Sequence, residues 1–322
     1  MKALVFDHFG GPEVLEYRDI PDPEVSAGHV IVRMKVIGLN FADIYRRKGN
    51  YHLKGTPPYI LGYEGAGVIE QVGPGVSGLS TGDRIAFADV PFANAELVSV
   101  PVDKVIPLPG DISFEQASAV LLQGLTAHYL VHDSYPVQSG EEVLVHAAAG
   151  GVGQLLTQLC KAKGARVFGL TSSEAKKKVA LEAGADEVML YNEKWTKAVL
   201  ARSTDGGGVH VAYDSVGSTL MDSFAVVRTR GAVVFYGMSG GDPQPVDPRM
   251  LMDTSKTLTG GDLWNHVTTW EDRVRRAEAL FEEIRAGRIR LGEPPRFGLY
   301  EGAEAHRFLE SRKSTGKILL IP

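Results

Sequence analysis

The 322-residue chain contains only one cysteine, Cys160. A single thiol cannot form an internal disulfide, and it cannot supply a four-cysteine zinc site. A disulfide-stabilised fold is therefore excluded. The composition fits a reducing compartment, and we expect a cytoplasmic location.

The sequence also lacks long apolar runs and an excess of positive charge. No apolar stretch approaches the roughly 20 residues that cross a bilayer. The first residues, MKALVFDHFGG, do not have the pattern of a signal peptide. The net charge is −5 and the isoelectric point is about 6.0, which argues against nucleic acid or anionic membranes as partners. We expect neither a membrane nor a nucleic-acid partner.

What the first third does contain is a series of short strand signals. The segments KALVF and VLEYRDI flank a Gly-Pro turn, and apolar and polar residues alternate from Val30 to Val36. Further short apolar runs are separated by glycine and proline. Many brief strands with this punctuation predict a compact, barrel-like antiparallel module.

From Glu141 onward, strand patterns alternate with helix patterns. Before this region, Ser113 and Gln116 have the spacing of a capping box, which predicts a helix start. Five apolar strands then follow with helical connections: EEVLVHA, ARVFGLTS, EVMLY, HVAYDSV and GAVVFYGM. This order predicts an α/β fold with a doubly wound parallel sheet.

The first of these strands leads into a glycine-rich turn, in the segment VLVHAAAGGVGQL. Its spacing is that of the dinucleotide fingerprint, with Ala148 at the first glycine position. The residues predicted to form this cofactor-binding turn are Ala149, Gly150, Gly151, Val152 and Gly153. Gly150 would let the backbone approach a pyrophosphate, and Gly153 would let the helix pack tightly on the strand. A helix N-terminus there offers free N–H groups to an anion. The alternative is a tight turn that needs small residues only for packing.

The end of the next strand distinguishes NAD from NADP. An NAD site has Asp or Glu about 20 residues after the glycines, and this sequence has none there. It offers Thr171, Ser172 and Ser173, followed by Lys176. Hydroxyls and an ammonium suit a 2′-phosphate, which predicts NADPH. The alternative for the lysine is a solvated helix face.

No metal site is indicated. The nine histidines are scattered. His128 and His132 are four residues apart on a predicted helix, but no third ligand is in sight. We interpret them as structural.

Seven segments together resemble a known family. They are GLNFADIYRRKGNY (38–51), LGYEGAGVIEQVG (61–73), GDRI, LLQGLTAHYL, HAAAGGVGQ, YDSVG (213–217) and the closing GKILLIP. In order and along nearly the whole chain, they resemble the zinc-free NADPH:quinone oxidoreductase (zeta-crystallin-like) group of the medium-chain dehydrogenase/reductase superfamily. The resemblance implies a GroES-like β-barrel domain, residues 1–121 and 262–322, with an inserted Rossmann domain, residues 122–261. It also implies a homodimer.

The resemblance implies a catalytic set of Asn40, Tyr45 and Tyr51. They would orient the substrate and hydrogen-bond to it. The alternatives are a helix cap for the asparagine and core packing for the tyrosines. The positions of catalytic zinc ligands in alcohol dehydrogenase relatives match Asn40, Tyr63 and Leu122, which cannot form such a site.

The resemblance also implies further cofactor contacts. A basic residue before the last strand contacts phosphate in relatives, and Arg312 is the candidate, with Lys313 and Lys317 as competitors. The other implied contacts are Thr126, Tyr191, Ser215, Tyr236, Gly237, Met238, Ser239, Leu263 and Trp264.

The expected function is an NADPH-dependent quinone oxidoreductase that transfers hydride directly, without a metal. Hydride addition to a simple aldehyde leaves a strongly basic alkoxide. A quinone instead leaves a phenolate-like oxygen with a pKa near that of tyrosine, about 10, which neutral hydrogen-bond donors can support. Two alternatives stay open: a reductase of α,β-unsaturated carbonyls, and a low-turnover NADPH-binding protein like some crystallins.

Overall fold

The computed structural model describes all 322 residues, which form sixteen strands and ten α-helices. The strands are β1 Lys2–Phe6, β2 Glu16–Asp19, β3 His29–Leu39, β4 Tyr59–Ile60, β5 Glu64–Val72, β6 Arg84–Ala88, β7 Leu97–Pro101, β8 Ile106–Pro107, β9 Glu142–Val145, β10 Arg166–Thr171, β11 Glu187–Leu190, β12 Val209–Asp214, β13 Val227–Phe235, β14 Thr257–Gly260, β15 Arg296–Gly298 and β16 Ile318–Ile321. The helices are α1 Phe41–Arg47, α2 Phe114–Tyr129, α3 Gly151–Ala162, α4 Glu174–Glu182, α5 Trp195–Arg202, α6 Leu220–Val226, α7 Pro248–Thr254, α8 Leu263–His266, α9 Trp270–Arg285 and α10 Gly302–Glu310.

The chain divides into two compact units. The first contains residues 1–122, 267–281 and 291–322, and the second contains residues 123–266 and 282–290. Thus residues 262–266 and 282–290, which the sequence analysis assigned to the barrel domain, group with the second unit. The limits 1–121 with 262–322 and 122–261 stay a prediction for the evolutionary domains.

The first unit is built on two antiparallel-rich sheets. A three-stranded sheet has the order β2-β1-β4, and a seven-stranded sheet has the order β15-β16-β3-β5-β6-β8, with β7 also paired to β3. Strand β3 is the longest and pairs with β5, β7 and β16. Its alternating pattern buries Val30, Val32 and Met34 in the core. The short strands and turns of this unit agree with the barrel-like antiparallel module that the sequence predicts.

The second unit has a parallel sheet with the order β11-β10-β9-β12-β13-β14. The order reverses between β9 and β12, and the carboxyl ends of strands on either side of such a point form a crevice for ligands. All four residues of β9 are buried, as expected for a central parallel strand. The sheet has six strands, not the five predicted. Strand β14 could not be predicted from the sequence, because its four residues, TLTG, include one apolar side chain and are mostly exposed.

The helix starts follow the sequence signals. Gln116 N–H donates to Ser113 Oγ at 3.1 Å, and Ser113 N–H donates to Gln116 Oε1 at 2.9 Å, so the predicted capping box is confirmed.

Cys160 is fully buried on α3, and burial raises the pKa of its thiol to about 12. It is therefore a packing residue. No helix combines the length and the apolar character needed to cross a bilayer.

Candidate functional site

The fingerprint turn connects β9 to α3. Gly150 N–H donates to Ala147 O at 2.7 Å, which closes the turn one residue before the helix begins. A Cβ on Gly153 would collide with Ala147 O and would lie 2.8 Å from Ala148 Cα. Both are backbone atoms of the preceding turn. Gly153 is therefore required for the close packing of α3 against the end of β9.

The adjacent glycines, Gly150 and Gly151, have different neighbours. A Cβ on Gly150 would meet only Ala147 O, at 3.1 Å, so the remaining space beside this residue is open. A Cβ on Gly151 would collide with the side-chain amide of Gln123 on α2. Gly151 therefore leaves room for a protein side chain. Gln123 was not predicted from the sequence, where only its place in the segment LLQGLT could have indicated it.

The N-terminus of α3 fits an anionic group. The helix has twelve residues and no acidic residue in its first turn. Its first N–H groups have no partner within the helix and carry the positive end of the helix dipole. Together with the open space at Gly150, this end of the helix fits the pyrophosphate of a dinucleotide.

The residues predicted to bind a 2′-phosphate lie at the end of β10 and the start of α4. Ser173 caps α4 by accepting a hydrogen bond from Lys176 N–H at 3.3 Å. Ser172 and Ser173 are exposed and Lys176 is half-buried, whereas Thr171 is buried. Ser172, Ser173 and Lys176 thus form one accessible group. Thr171 instead packs inside the unit.

The loops after β12 and β13 lie side by side. Ser239 N–H and Oγ both donate to Ser215 O, at 3.1 and 3.0 Å. Tyr236 N–H donates to Asp214 O at 2.9 Å. Burial raises the pKa of the Tyr236 hydroxyl. The structure therefore brings Ser215 together with the predicted segment Tyr236, Gly237, Met238 and Ser239.

Three other predicted contacts lie on helices of this unit. Thr126 is nearly buried on α2, and α8 carries buried Leu263 and half-buried Trp264. Helix α8 also places the ring of His266 on that of Tyr129, with centroids 4.3 Å apart. This ring pair fixes α8 against α2.

The histidine pair on α2 and the following π-helical turn, Leu130–Ser134, is a local packing feature. The rings of His128 and His132 are stacked with centroids 4.1 Å apart, and His132 Nδ1 lies 2.9 Å from His128 O. No group of three or more Cys, His, Asp or Glu residues could hold a metal ion. The stacking of the two rings favours a structural role for the pair, which stays a prediction.

In the first unit, Asn40 precedes α1 and belongs to a buried polar cluster. Its N–H donates to Asp43 Oδ2 at 3.0 Å, as in a helix cap. Its Nδ2 donates to Glu64 Oε2 at 2.9 Å and to Gly38 O at 3.3 Å. Its Oδ1 accepts from Lys317 Nζ at 2.9 Å. These bonds hold the amide in one orientation.

Lys317 lies in the same cluster, where its ammonium forms a buried ion pair with Glu64. It is therefore not available as the phosphate-binding base that the sequence analysis considered. Arg312 and Lys313 are exposed. Glu64 also accepts the Leu122 N–H at 2.7 Å. The sequence analysis did not identify Glu64, because its partners are distant in sequence.

The two predicted tyrosines of this unit lie on and after α1. Tyr45 is half-buried and packs edge-on against Phe41, with ring centroids 5.4 Å apart. The guanidinium of Arg46 lies 5.1 Å from the ring of Tyr51 and 3.7 Å from the ring of Tyr63. Cation–π contacts of this kind fix aromatic rings. Arg46, a buried cation in contact with the ring of Tyr51, was not predicted from the sequence.

The positions that match zinc ligands do not fit zinc. Asn40, Tyr63 and Leu122 offer an amide, a phenol and an apolar side chain. Of these, the amide is already bonded to Glu64 and Lys317. Zinc is held by thiolate, imidazole or carboxylate groups. This donor set cannot replace them.

Comparison with known proteins agrees with this architecture. The profile of the alcohol dehydrogenase GroES-like domain matches residues 26–110, and the profile named zinc-binding dehydrogenase matches residues 151–279. A quinone oxidoreductase of Pseudomonas aeruginosa is 41% identical over 324 aligned residues, which cover 100% of this chain and 99% of the relative. The chain belongs to the quinone oxidoreductase family of medium-chain dehydrogenases/reductases.

Members of this family and its neighbours are similar over their whole length. The crystal structure of Escherichia coli quinone oxidoreductase complexed with NADPH has a TM-score of 0.96, 36% identity and full coverage of both chains. A 2-haloacrylate reductase of a Burkholderia species is 33% identical, over 99% of this chain and 98% of the relative. The predicted family and fold are thereby confirmed.

Proposed function

We propose that the chain is an NADPH-dependent quinone oxidoreductase that transfers hydride directly, without a metal. The observation that carries this proposal is the position of the fingerprint turn, which follows β9 where the strand order of the parallel sheet reverses. The end of the neighbouring strand β10 has no Asp or Glu that would repel a 2′-phosphate. The family relationship supports it, since related proteins are named quinone oxidoreductases and one was solved with NADPH.

When bound, NADPH supplies the hydride. The residues of the second unit bind and orient it. The N–H groups at the start of α3 hold the pyrophosphate, and the open space at Gly150 lets it approach. Ser172, Ser173 and Lys176 hold the 2′-phosphate by hydrogen bonds and charge. The adjacent loops at Ser215 and 236–239 support the nicotinamide end, with Thr126, Leu263 and Trp264 as further candidates.

The first unit supplies the groups that act on the acceptor. Tyr45 and Tyr51 hydrogen-bond the acceptor oxygen and orient its ring. Because the amide of Asn40 is held by Glu64 and Lys317, we propose that it positions the start of α1. No buried general acid is needed for a quinone, because a phenolate-like product can take its proton from water.

A second candidate is reduction of α,β-unsaturated carbonyl compounds. The 2-haloacrylate reductase relative favours it. Hydride then arrives at the β carbon and an enolate forms, which the same tyrosines could stabilise. The two candidates therefore differ in acceptor and share the cofactor site.

A single assay separates them. Purified protein is mixed with NADPH and a benzoquinone, an enal, or no acceptor, and absorbance of NADPH is followed. We expect consumption to rise at least tenfold above background with the quinone. A rise with the enal alone would favour the second candidate. Consumption that stays at background with both, although NADPH binds in a titration, would indicate a low-turnover binding protein.

If Lys176 binds the 2′-phosphate, Lys176→Ala should weaken the binding of NADPH selectively. A hydrogen bond to a charged group contributes about 1.5–3 kcal/mol, so KM for NADPH should rise by about 10–100-fold. KM for NADH, which lacks the 2′-phosphate, should change little. Lys178→Ala is the matched control, since this exposed lysine lies on the same helix and pairs with Glu182. Equal losses for both cofactors in Lys176→Ala would refute the assignment.

We also propose that the chain forms a homodimer through β14. This edge strand pairs only with β13, and exposed Leu258 and Met252 lie on and before it. An unpaired edge with apolar residues favours pairing with another chain. Leu258→Asp should shift the mass measured by light scattering towards that of a monomer. Val25→Asp, at an exposed apolar residue of the other unit, should leave it unchanged. A wild-type monomer would refute the proposal.

A cytoplasmic location is proposed on the single buried thiol, which fits a reducing compartment. Cell fractionation with an antibody against the chain tests it. Recovery in a secreted fraction would contradict it.

A further inference from the structure

A chain of buried polar groups lies where β9 and β12 end, beneath the fingerprint turn. His146 directly follows β9, and its Nε2 lies 2.9 Å from Ser223 Oγ on α6. Ser223 Oγ in turn donates to Asp214 Oδ2 at 2.7 Å. The three side chains have the residue types of a hydrolase triad, but each is 0% exposed. No substrate can reach the serine, so this chain of groups is not a nucleophilic site.

Asp214 anchors one end of the chain. Its Oδ1 accepts the N–H groups of Val216 and Gly217 at 2.8 and 3.0 Å. Its Oδ2 accepts from Thr219 Oγ1 at 2.8 Å, in addition to Ser223. With four donors, the carboxylate is fully satisfied and fixes the loop that carries Ser215. A carboxylate with so many partners is a rigid reference point for the groups attached to it.

The other end of the chain reaches the fingerprint turn. His146 Nδ1 lies 3.2 Å from Tyr191 OH, and Tyr191 OH accepts the Ala147 N–H at 2.9 Å. Burial lowers the pKa of the His146 imidazole more than the Asp214 carboxylate raises it, so the ring is neutral. We assign its proton to Nε2, because the Ser223 hydroxyl donates to Asp214 and therefore accepts from His146 Nε2–H. Nδ1 is then the acceptor of the Tyr191 hydroxyl. Every donor then has an acceptor.

The Tyr191 hydroxyl, at the end of this series of hydrogen-bonded groups, accepts a bond from Ala147, whose backbone is strained. Ala147 has φ of +48°, in the left-handed region that residues with a Cβ adopt at a cost of about 1 kcal/mol or more. Its carbonyl accepts the Gly150 N–H. The conformation of Ala147 therefore sets the position of Gly150 and of the first N–H groups of α3.

We propose that Tyr191 is a positioning residue: its hydroxyl, oriented by His146, Ser223 and Asp214, holds Ala147 in the left-handed conformation and so preforms the phosphate-binding turn. The inference rests on the proposed function only in that NADPH binds this turn. It changes the role given to Tyr191, which the family resemblance placed among the contacts at the cofactor. The ring can still serve there, but the hydroxyl faces the protein.

Tyr191→Phe keeps the ring and removes the hydroxyl. We expect the Kd for NADPH, measured by fluorescence titration, to rise about tenfold. The Kd for NADH should rise by the same factor, because the 2′-phosphate is not involved. Ser223→Ala removes the hydroxyl that links His146 to Asp214, further from the turn. It should raise the Kd for both cofactors by a smaller factor.

The decisive step is rescue by Ala147→Gly. Glycine adopts positive φ without strain, so the double variant Tyr191→Phe/Ala147→Gly should recover most of the lost affinity. Tyr135→Phe is the matched control: its hydroxyl bonds Glu141 at 2.8 Å, just before β9 begins, and its loss should leave Kd unchanged. An unchanged Kd in Tyr191→Phe, or a loss that Ala147→Gly does not restore, would overturn the inference. If wild-type protein fails to bind NADPH, the proposed function itself fails.

Discussion

Glu64→Ala is expected to lower the free energy of unfolding by roughly 3–5 kcal/mol, because it leaves a buried charge without its partner. Glu64 is 0% exposed and Lys317 is 5% exposed. In the variant, the ammonium keeps Asn40 Oδ1 as its hydrogen-bond acceptor but loses the Glu64 carboxylate, and the bond from Glu64 to the Leu122 N–H is also lost. The ammonium of Lys317 is a group that water cannot easily reach. Denaturation by guanidinium chloride at pH 7, followed by circular dichroism, measures the effect.

Two controls separate burial of charge from general disruption. The double variant Glu64→Gln/Lys317→Met removes both charges, and it should be clearly less destabilised than Glu64→Ala, since no unpaired ion remains. Asp19→Ala breaks the exposed pair with Lys2 and should change the free energy of unfolding by less than about 1 kcal/mol. If Glu64→Ala resembles the Asp19 variant, the ammonium has found another partner and the argument fails.

The same cluster explains why the sequence predicted the position of Asn40 but not its environment. The segment GLNFADIY indicates a strand followed by a helix, and both are present as β3 and α1. The partners of Asn40, however, are Glu64 and Lys317, which lie 24 and 277 residues away. No local pattern links such positions. A hydrogen-bonding role could be predicted from the residue type, whereas the direction of its bonds could not.

The second unit shows the same division between local and distant signals. The apolar run of β9 and the glycine spacing are local, and they predicted both the strand and the turn. The neighbours of that turn are not local: Gly151 leaves room for Gln123, and Tyr191 reaches Ala147 from a different strand end. Strand β14 was missed for another reason. An exposed edge strand buries little apolar surface, so its sequence carries no hydrophobic pattern.

Substitution of the fingerprint glycines is expected to have the largest effect on cofactor binding. The effect should differ between Gly150 and Gly153. In Gly153→Ala the new Cβ would collide with Ala147 O and lie 2.8 Å from Ala148 Cα. Backbone atoms cannot rotate away, so α3 must separate from the end of β9. Overpacking of this kind costs about 1–3 kcal/mol. We expect the free energy of unfolding to fall by that amount, and the Kd for NADPH to rise at least about 100-fold, equivalent to about 2.7 kcal/mol.

Gly150→Ala should behave differently, because its Cβ meets only Ala147 O at 3.1 Å and its φ of −77° suits alanine. We expect a free energy of unfolding close to that of the wild type, but a Kd for NADPH raised about 10–100-fold, since the methyl group occupies the space through which the pyrophosphate approaches. Gly207→Ala, in an open surface turn of the same unit, should change neither quantity. Calorimetric titration and chemical denaturation of all three variants test this contrast. Wild-type affinity in Gly150→Ala would show that the pyrophosphate lies elsewhere, because packing alone then accounts for the glycines of this turn.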